Sequence, residues 1–126
     1  MITSRLKKII SAINGLPLFV KSNSKHNIPL IKMVDFKELL KKETGLIIVD
    51  VRTPEELSGS LGKIPGVINI PLQELNERFE ELNKFKQKTI YIICRSGNRS
   101  GIAVNILNSK GFNSVNVLGG MIKYNK

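Results

Sequence analysis

From Ile28 onward, short apolar runs rich in β-branched residues alternate with runs of helical spacing, and this alternation most constrains the fold of the chain. "IPLIKMV" (28–34) is short and apolar, and Asp35 reads as the N-cap of "FKELLKK", with Glu38 at the capping-box spacing. "GLIIVDV" (45–51) is a continuous β-branched run of the kind buried on both faces of a sheet. Thr53 and Pro54, followed by Glu55 and Glu56, open a short helix with acidic charge at its positive end. "GVINI" (66–70) is a third strand. "PLQELNERFEELNKF" (71–85) sets Leu72, Leu75, Phe79 and Leu82 at helical spacing. "TIYIIC" is a fourth strand, "SGIAVNILNSKG" a helix with Ser100 as N-cap and Gly111 just past its end, and "SVNVL" a fifth strand. Strand and helix in regular alternation predict an α/β domain: a five-stranded, mainly parallel sheet with helices on both faces.

At 126 residues the chain suffices for one such domain, placed at 29–126. The Ser/Asn-rich "KSNSKHN" before it reads as a linker, and residues 1–28 as a basic N-terminal extension or leader. "MITSRLKK" leads into the uncharged "IISAINGLPLFV", which is short of the roughly 20 residues of a membrane span. No A-x-A cleavage site follows, and Asn14, Gly15 and Pro17 interrupt a helix. Two readings stay open: an exported or membrane-touching segment through residues 1–20, and a leader helix packed on the domain. A single cysteine cannot form an internal disulfide and fits a reducing compartment, so a cytoplasmic location is expected, with export or membrane association as the alternative.

The net charge of +10 is uneven, because every acidic residue falls between Asp35 and Glu81 and residues 82–126 carry only basic charge. The half containing Cys94 therefore sits in a positive field that attracts anions. Lys84, Lys86 and Lys88 form a basic run, but no aromatic residues interleave to stack on bases, which argues against nucleic acid as a partner. No cofactor is implied, since no glycine-rich nucleotide motif occurs. No metal site is implied either: His26 is the single His, in the polar linker, and the acidic pairs at 55–56 and 80–81 read as solvated helix faces.

Cys94 ends the fourth strand, where parallel α/β sheets bind ligands, and Asp50 and Arg52 end the second. A free cysteine is most often a buried core residue. The flank Arg95, Ser96, Gly97, Asn98 and Arg99 has no packing rationale and moves the reading to chemistry. Gly97 and Asn98 tolerate left-handed backbone, so successive amides can curl inward as a nest beside the next helix N-terminus. A thiol there ionises more readily than a free one.

These features make a specific resemblance. "CRSGNRS" after an apolar strand resembles the active-site loop of rhodanese-type sulfurtransferases. "IIVDVRTPEEL", "GKIPGVINIPL" and "VNVLGGM" match further blocks in that family's order, and with the first β–α unit the resemblance covers about residues 29–126. It implies the three-layer rhodanese-like fold. It also implies a small anionic sulfur donor, thiosulfate-like, a persulfide on Cys94, and an external acceptor such as cyanide, a small thiol or a protein thiol. Arg95 to Arg99 match the loop whose amides hold the persulfide and whose side chains meet the donor. Asp50 and Arg52 match a pair near the mouth, where a structural ion pair is the plainer role. Lys63 stands where the family often has His, the "SGSLG" loop is long, and Tyr124 stands where an aromatic residue closes the fold.

Other classes compete for the same loop. Cysteine phosphatases use C-x5-R, whereas Cys94 to Arg99 is C-x4-R, a cradle one residue shorter. A non-catalytic rhodanese-like binding module usually loses the cysteine that is present here. A cysteine redox sensor would use the same thiol.

Overall fold

The computed structural model describes residues 21–22 and 28–126. The expectations for residues 1–20, and for His26 in the linker, lie outside the described residues. No helix among the described residues is long and apolar enough to cross a membrane.

The five expected strands are present and run parallel: β2 (Pro29–Ile31), β3 (Ile47–Asp50), β4 (Ile68–Asn69), β5 (Thr89–Ile93) and β6 (Asn113–Val117). A two-residue strand β1 (Lys21–Ser22), within the segment read as linker, adds antiparallel to β2 at one edge. The order is β1-β2-β6-β5-β3-β4, so β5 lies inside the sheet between β6 and β3. The helices are α1 (Met33–Lys42), α2 (Pro54–Leu57), α3 (Leu75–Arg78), α4 (Asn98–Ser109) and α5 (Gly120–Tyr124).

Successive side chains of a strand point to opposite faces, and β5 fills two cores in this way. Ile90, Ile92 and Cys94 join Val49, Val51, Leu75, Leu82 and the Ala103–Val104–Leu107 face of α4. Tyr91 and Ile93 join Ile48, Val115, Val117, Phe36 and Leu39 of α1, and Met121 of α5. Helices thus cover both faces. Burial of each such Leu or Ile contributes about 1.5–3 kcal/mol. The parity that buries Ile90 and Ile92 also aims Cys94 toward α4.

Helix boundaries depart from expectation for physical reasons. Helix α1 starts at Met33 with Lys32 as an N-cap that makes no side-chain bond, so the Asp35–Glu38 capping box is not formed. The earlier start turns Met33 into the core beside Phe36 and Leu39, and leaves Asp35 in the first turn, where its negative charge complements the positive end of the dipole. Residues 72–85 form no single α-helix. A 3-10 turn (Leu72–Glu74), α3 and a second 3-10 segment (Phe79–Phe85) follow one another. Phe79, Leu82 and Phe85 recur every three residues, the period that a 3-10 segment keeps on one face, and all meet the same core. Helix α4 ends as read: the Gly111 and Phe112 amides donate to the Asn108 and Leu107 carbonyls at 3.2 Å each, a Schellman motif, and Phe112 and Leu107 share the core.

Candidate active site

Cys94 leaves β5 into a loop whose course is set by its neighbours. The Met121 amide donates to the Cys94 carbonyl at 2.9 Å and the Ile122 amide to the Arg95 carbonyl at 3.1 Å. The first turn of α5 therefore draws these carbonyls to the sheet side. Such close approach needs a glycine at 120. Its φ is +57°, and a Cβ there would overlap the Arg95 and Cys94 carbonyl groups.

The loop then turns at Gly97, with φ +114°, which becomes the N-cap of α4. Ser100, expected as N-cap, lies inside the first helical turn and is fully buried. The positive φ at Gly97 completes the turn early, so the helix begins at Asn98 and the Ser100 side chain reaches the thiol. Three polar contacts converge. The Gly97 amide donates to Cys94 Sγ at 3.1 Å, Ser100 Oγ lies 3.3 Å from the same sulfur, and Ser100 Oγ–H donates to Asn116 Oδ1 at 2.6 Å. Asn116 Nδ2 donates to the Gly97 carbonyl at 3.2 Å. Cys94 itself is only 1% exposed.

Of the other loop residues, Arg95, Ser96 and Asn98 are exposed and Gly97 and Arg99 half-buried. Arg99 reaches α2, where Nη1 and Nη2 donate to the two Glu56 oxygens at 2.8 Å each. Glu56 had been read as solvated. It instead closes the capping box with Thr53, accepting the Thr53 amide at 3.0 Å, and holds Arg99 with the same carboxylate. The Arg99 guanidinium is the main cause that lowers the Glu56 pKa to about 2, and Glu56 in turn raises that of Arg99.

Asp50 and Arg52 end β3 beside Ile93 and are buried together. Arg52 Nε donates to Asp50 Oδ1 at 3.0 Å and Nη2 to Oδ2 at 2.8 Å. Its other donors reach the Glu56 and Gly62 carbonyls at 3.3 and 2.8 Å. Arg52 thus ties α2 and the following loop to the end of β3, and so sets the position of Glu56. Asn69 Nδ2 clamps the same strand end through the Asp50 and Arg52 carbonyls, at 2.9 Å each.

Sequence reasoning missed Glu56 and Asn116 at this site. A signal for Asn116 existed: Ser114 and Asn116 alternate with Val115 and Val117 in a strand flanked on both sides, so two polar side chains face a core. Each needs a buried partner. Ser114 finds Asn108, and Asn116 finds Ser100.

Known proteins resemble this chain over most of its length. The rhodanese-like domain model matches residues 32–126. The chain is 42% identical over 101 residues to the putative sulfur carrier protein YrkF of Bacillus subtilis, covering 79% of this chain and 52% of that one. It is 37% identical over 73 residues to the thiosulfate sulfurtransferase PspE of Escherichia coli, covering 58% of this chain and 68% of that one. The chain thus spans about half the length of YrkF and about two thirds of PspE. The crystal structure of SSP1007 from Staphylococcus saprophyticus superposes with a TM-score of 0.67 at 38% identity, covering 75% of this chain and 91% of that one. With the family model matched over most of its length and the cysteine loop in place, this chain belongs to the rhodanese-like family, as a domain of the rhodanese sulfurtransferase type.

Proposed function

We propose that the chain transfers a sulfane sulfur from a small anionic donor of the thiosulfate class, through a persulfide on Cys94, to a thiophilic acceptor. The observation that carries this reading is the placement of Sγ against the Gly97 amide and the Ser100 hydroxyl, in a loop one residue shorter than the C-x5-R cradle. In the first step the Cys94 thiolate attacks the outer sulfur of the donor. The donor S–S bond breaks and sulfite leaves with its electron pair. The terminal sulfur of the resulting persulfide carries the negative charge, and hydrogen-bond donors near Sγ stabilise charge in such a site. In the second step cyanide, a small thiolate or a protein thiolate attacks that sulfur and the Cys94 thiolate returns.

Arg95, exposed on the loop, meets the donor first. Arg99, its fork engaged by Glu56, adds charge and holds the loop against α2. A redox sensor would use the same thiol, and sulfur loading separates the two readings. Intact mass after incubation with thiosulfate and desalting tests the proposal. Wild type should gain about one sulfur atom, released by cyanide as thiocyanate, and Cys94→Ser should gain none. Absence of any gain with thiosulfate and other sulfane donors would refute it.

A further inference from the structure

The buried chain Gly97–Asn116–Ser100–Cys94 has a direction, and donor–acceptor bookkeeping sets it. Its far end is the Gly97 carbonyl, which can only accept. The Asn116 side chain must therefore turn Nδ2 toward it, as the 3.2 Å contact requires, and Oδ1 faces Ser100. Oδ1 can only accept, so the single hydroxyl hydrogen of Ser100 goes to Asn116 over 2.6 Å. What Ser100 offers the sulfur at 3.3 Å is then a lone pair, which suits a protonated Cys94 and repels an anionic one. When the Cys94 proton leaves to solvent, or a persulfide forms, the Ser100 hydrogen must rotate to the sulfur and leave Oδ1.

We infer that Asn116 is a positioning residue which, by competing for the Ser100 hydrogen, controls how readily the Cys94 sulfur carries negative charge. This deepens the proposed function and rests on it in taking Cys94 as the nucleophile. Its test reads the thiol directly, so the two can fail separately. The charged groups on the surrounding elements are Asp50 and Arg52 at the end of β3, Glu56 on α2, Arg95 and Arg99 on the loop, and Lys123 on α5. All are unchanged in the variants below, and the Gly97 carbonyl keeps the Gly101 amide at 3.3 Å when Asn116 is replaced.

The experiment is the pH profile of iodoacetamide alkylation on the full-length chain, where Cys94 is the single cysteine, followed by intact mass. Asn116→Leu removes the competing acceptor, so alkylation on the acidic limb should quicken about fivefold, the equivalent of one neutral hydrogen bond. Ser100→Ala removes the hydrogen itself and should slow it by a similar factor. Adding Asn116→Leu to Ser100→Ala should then change nothing further, because Asn116 acts only through Ser100. Circular dichroism checks folding. Should Asn116→Leu not fold, Asn116→Asp keeps the shape with a stronger acceptor, and should slow alkylation more with Ser100 present than with Ser100→Ala. No quickening by Asn116→Leu, or an equal effect of the Asn116 substitution with and without the Ser100 hydroxyl, overturns the inference.

Discussion

Replacing Gly120 by alanine puts the support of the cysteine loop under direct strain. At φ +57° a residue with a Cβ costs about 1–2 kcal/mol. Here the Cβ would also overlap backbone, the Cys94 and Arg95 carbonyls, which cannot swing aside as a side chain could. The least costly relief is separation of α5 from the loop, with loss of the Met121 and Ile122 amide bonds at about 1 kcal/mol each. The sum is about 3–4 kcal/mol, and with a urea m-value near 2 kcal/mol/M the unfolding midpoint should fall by about 1.5–2 M. Gly119→Ala is the control. Its φ is +87°, and its Cβ would crowd Lys123 Cβ and Cδ at 2.7 Å, within α5 itself and away from the Cys94 and Arg95 carbonyls, so its cost falls on the helix and not on the loop contact. Sulfur loading of Cys94 from thiosulfate, measured in the absence of urea, should drop in Gly120→Ala far more than in Gly119→Ala. A Gly120→Ala protein that loads sulfur as well as its Gly119→Ala counterpart would refute the idea that this contact aims the loop.

Glu56→Gln should lower stability at pH 7 by no more than about 1 kcal/mol, because the pair is about one-third exposed. It should lower the KM for thiosulfate several-fold by releasing the Arg99 fork, an effect that steady-state rates at low and high salt will detect and that unchanged KM would exclude. The folded pKa of Glu56, about 2, lies below its ordinary 4.5, so the pair stabilises above pH 4.5 and loses that contribution as pH falls toward 2. Urea midpoints of wild type and Glu56→Gln should therefore draw together from pH 5 to pH 2. Arg52→Met leaves the Asp50 carboxylate buried without its partner and should cost about 3–5 kcal/mol. Adding Asp50→Leu should restore most of this in the same unfolding assay, and no recovery would mean that Arg52 acts mainly through its ties to Glu56 and Gly62.

What could be read from the sequence was whatever is local. The strand at 89–93 shows itself as an unbroken apolar run, and Gly97, three residues from Cys94, marks a turn by its composition alone. The Thr53–Glu56 capping box is equally local, a matter of spacing, although the sequence reading took Glu56 only as a first-turn acid. Helix starts were less legible. Asp35 and Ser100 are favoured cap residues, yet Met33 and the Gly97 turn outweighed them, since burial and a positive φ settle the first turn before side-chain capping does. Residues 72–85 carried a helical stripe that a 3-10 path satisfies equally well, because both periods bring residues three apart onto one face.

The two unread residues of the site depend instead on register. Glu56 meets Arg99 across 43 positions of sequence, and only because Arg52 anchors α2 to the end of β3. Asn116 meets Ser100 because β6 pairs with β5 so that Asn116 lies opposite Ile92, two residues before Cys94 and on the same face. A slip of one residue would put Val115 or Val117 there and turn Asn116 to the other core. The Ser100 hydroxyl would then have no buried acceptor, and its hydrogen would pass to the sulfur. Local sequence therefore builds the cysteine loop, while strand register decides which group competes for its one buried hydroxyl hydrogen.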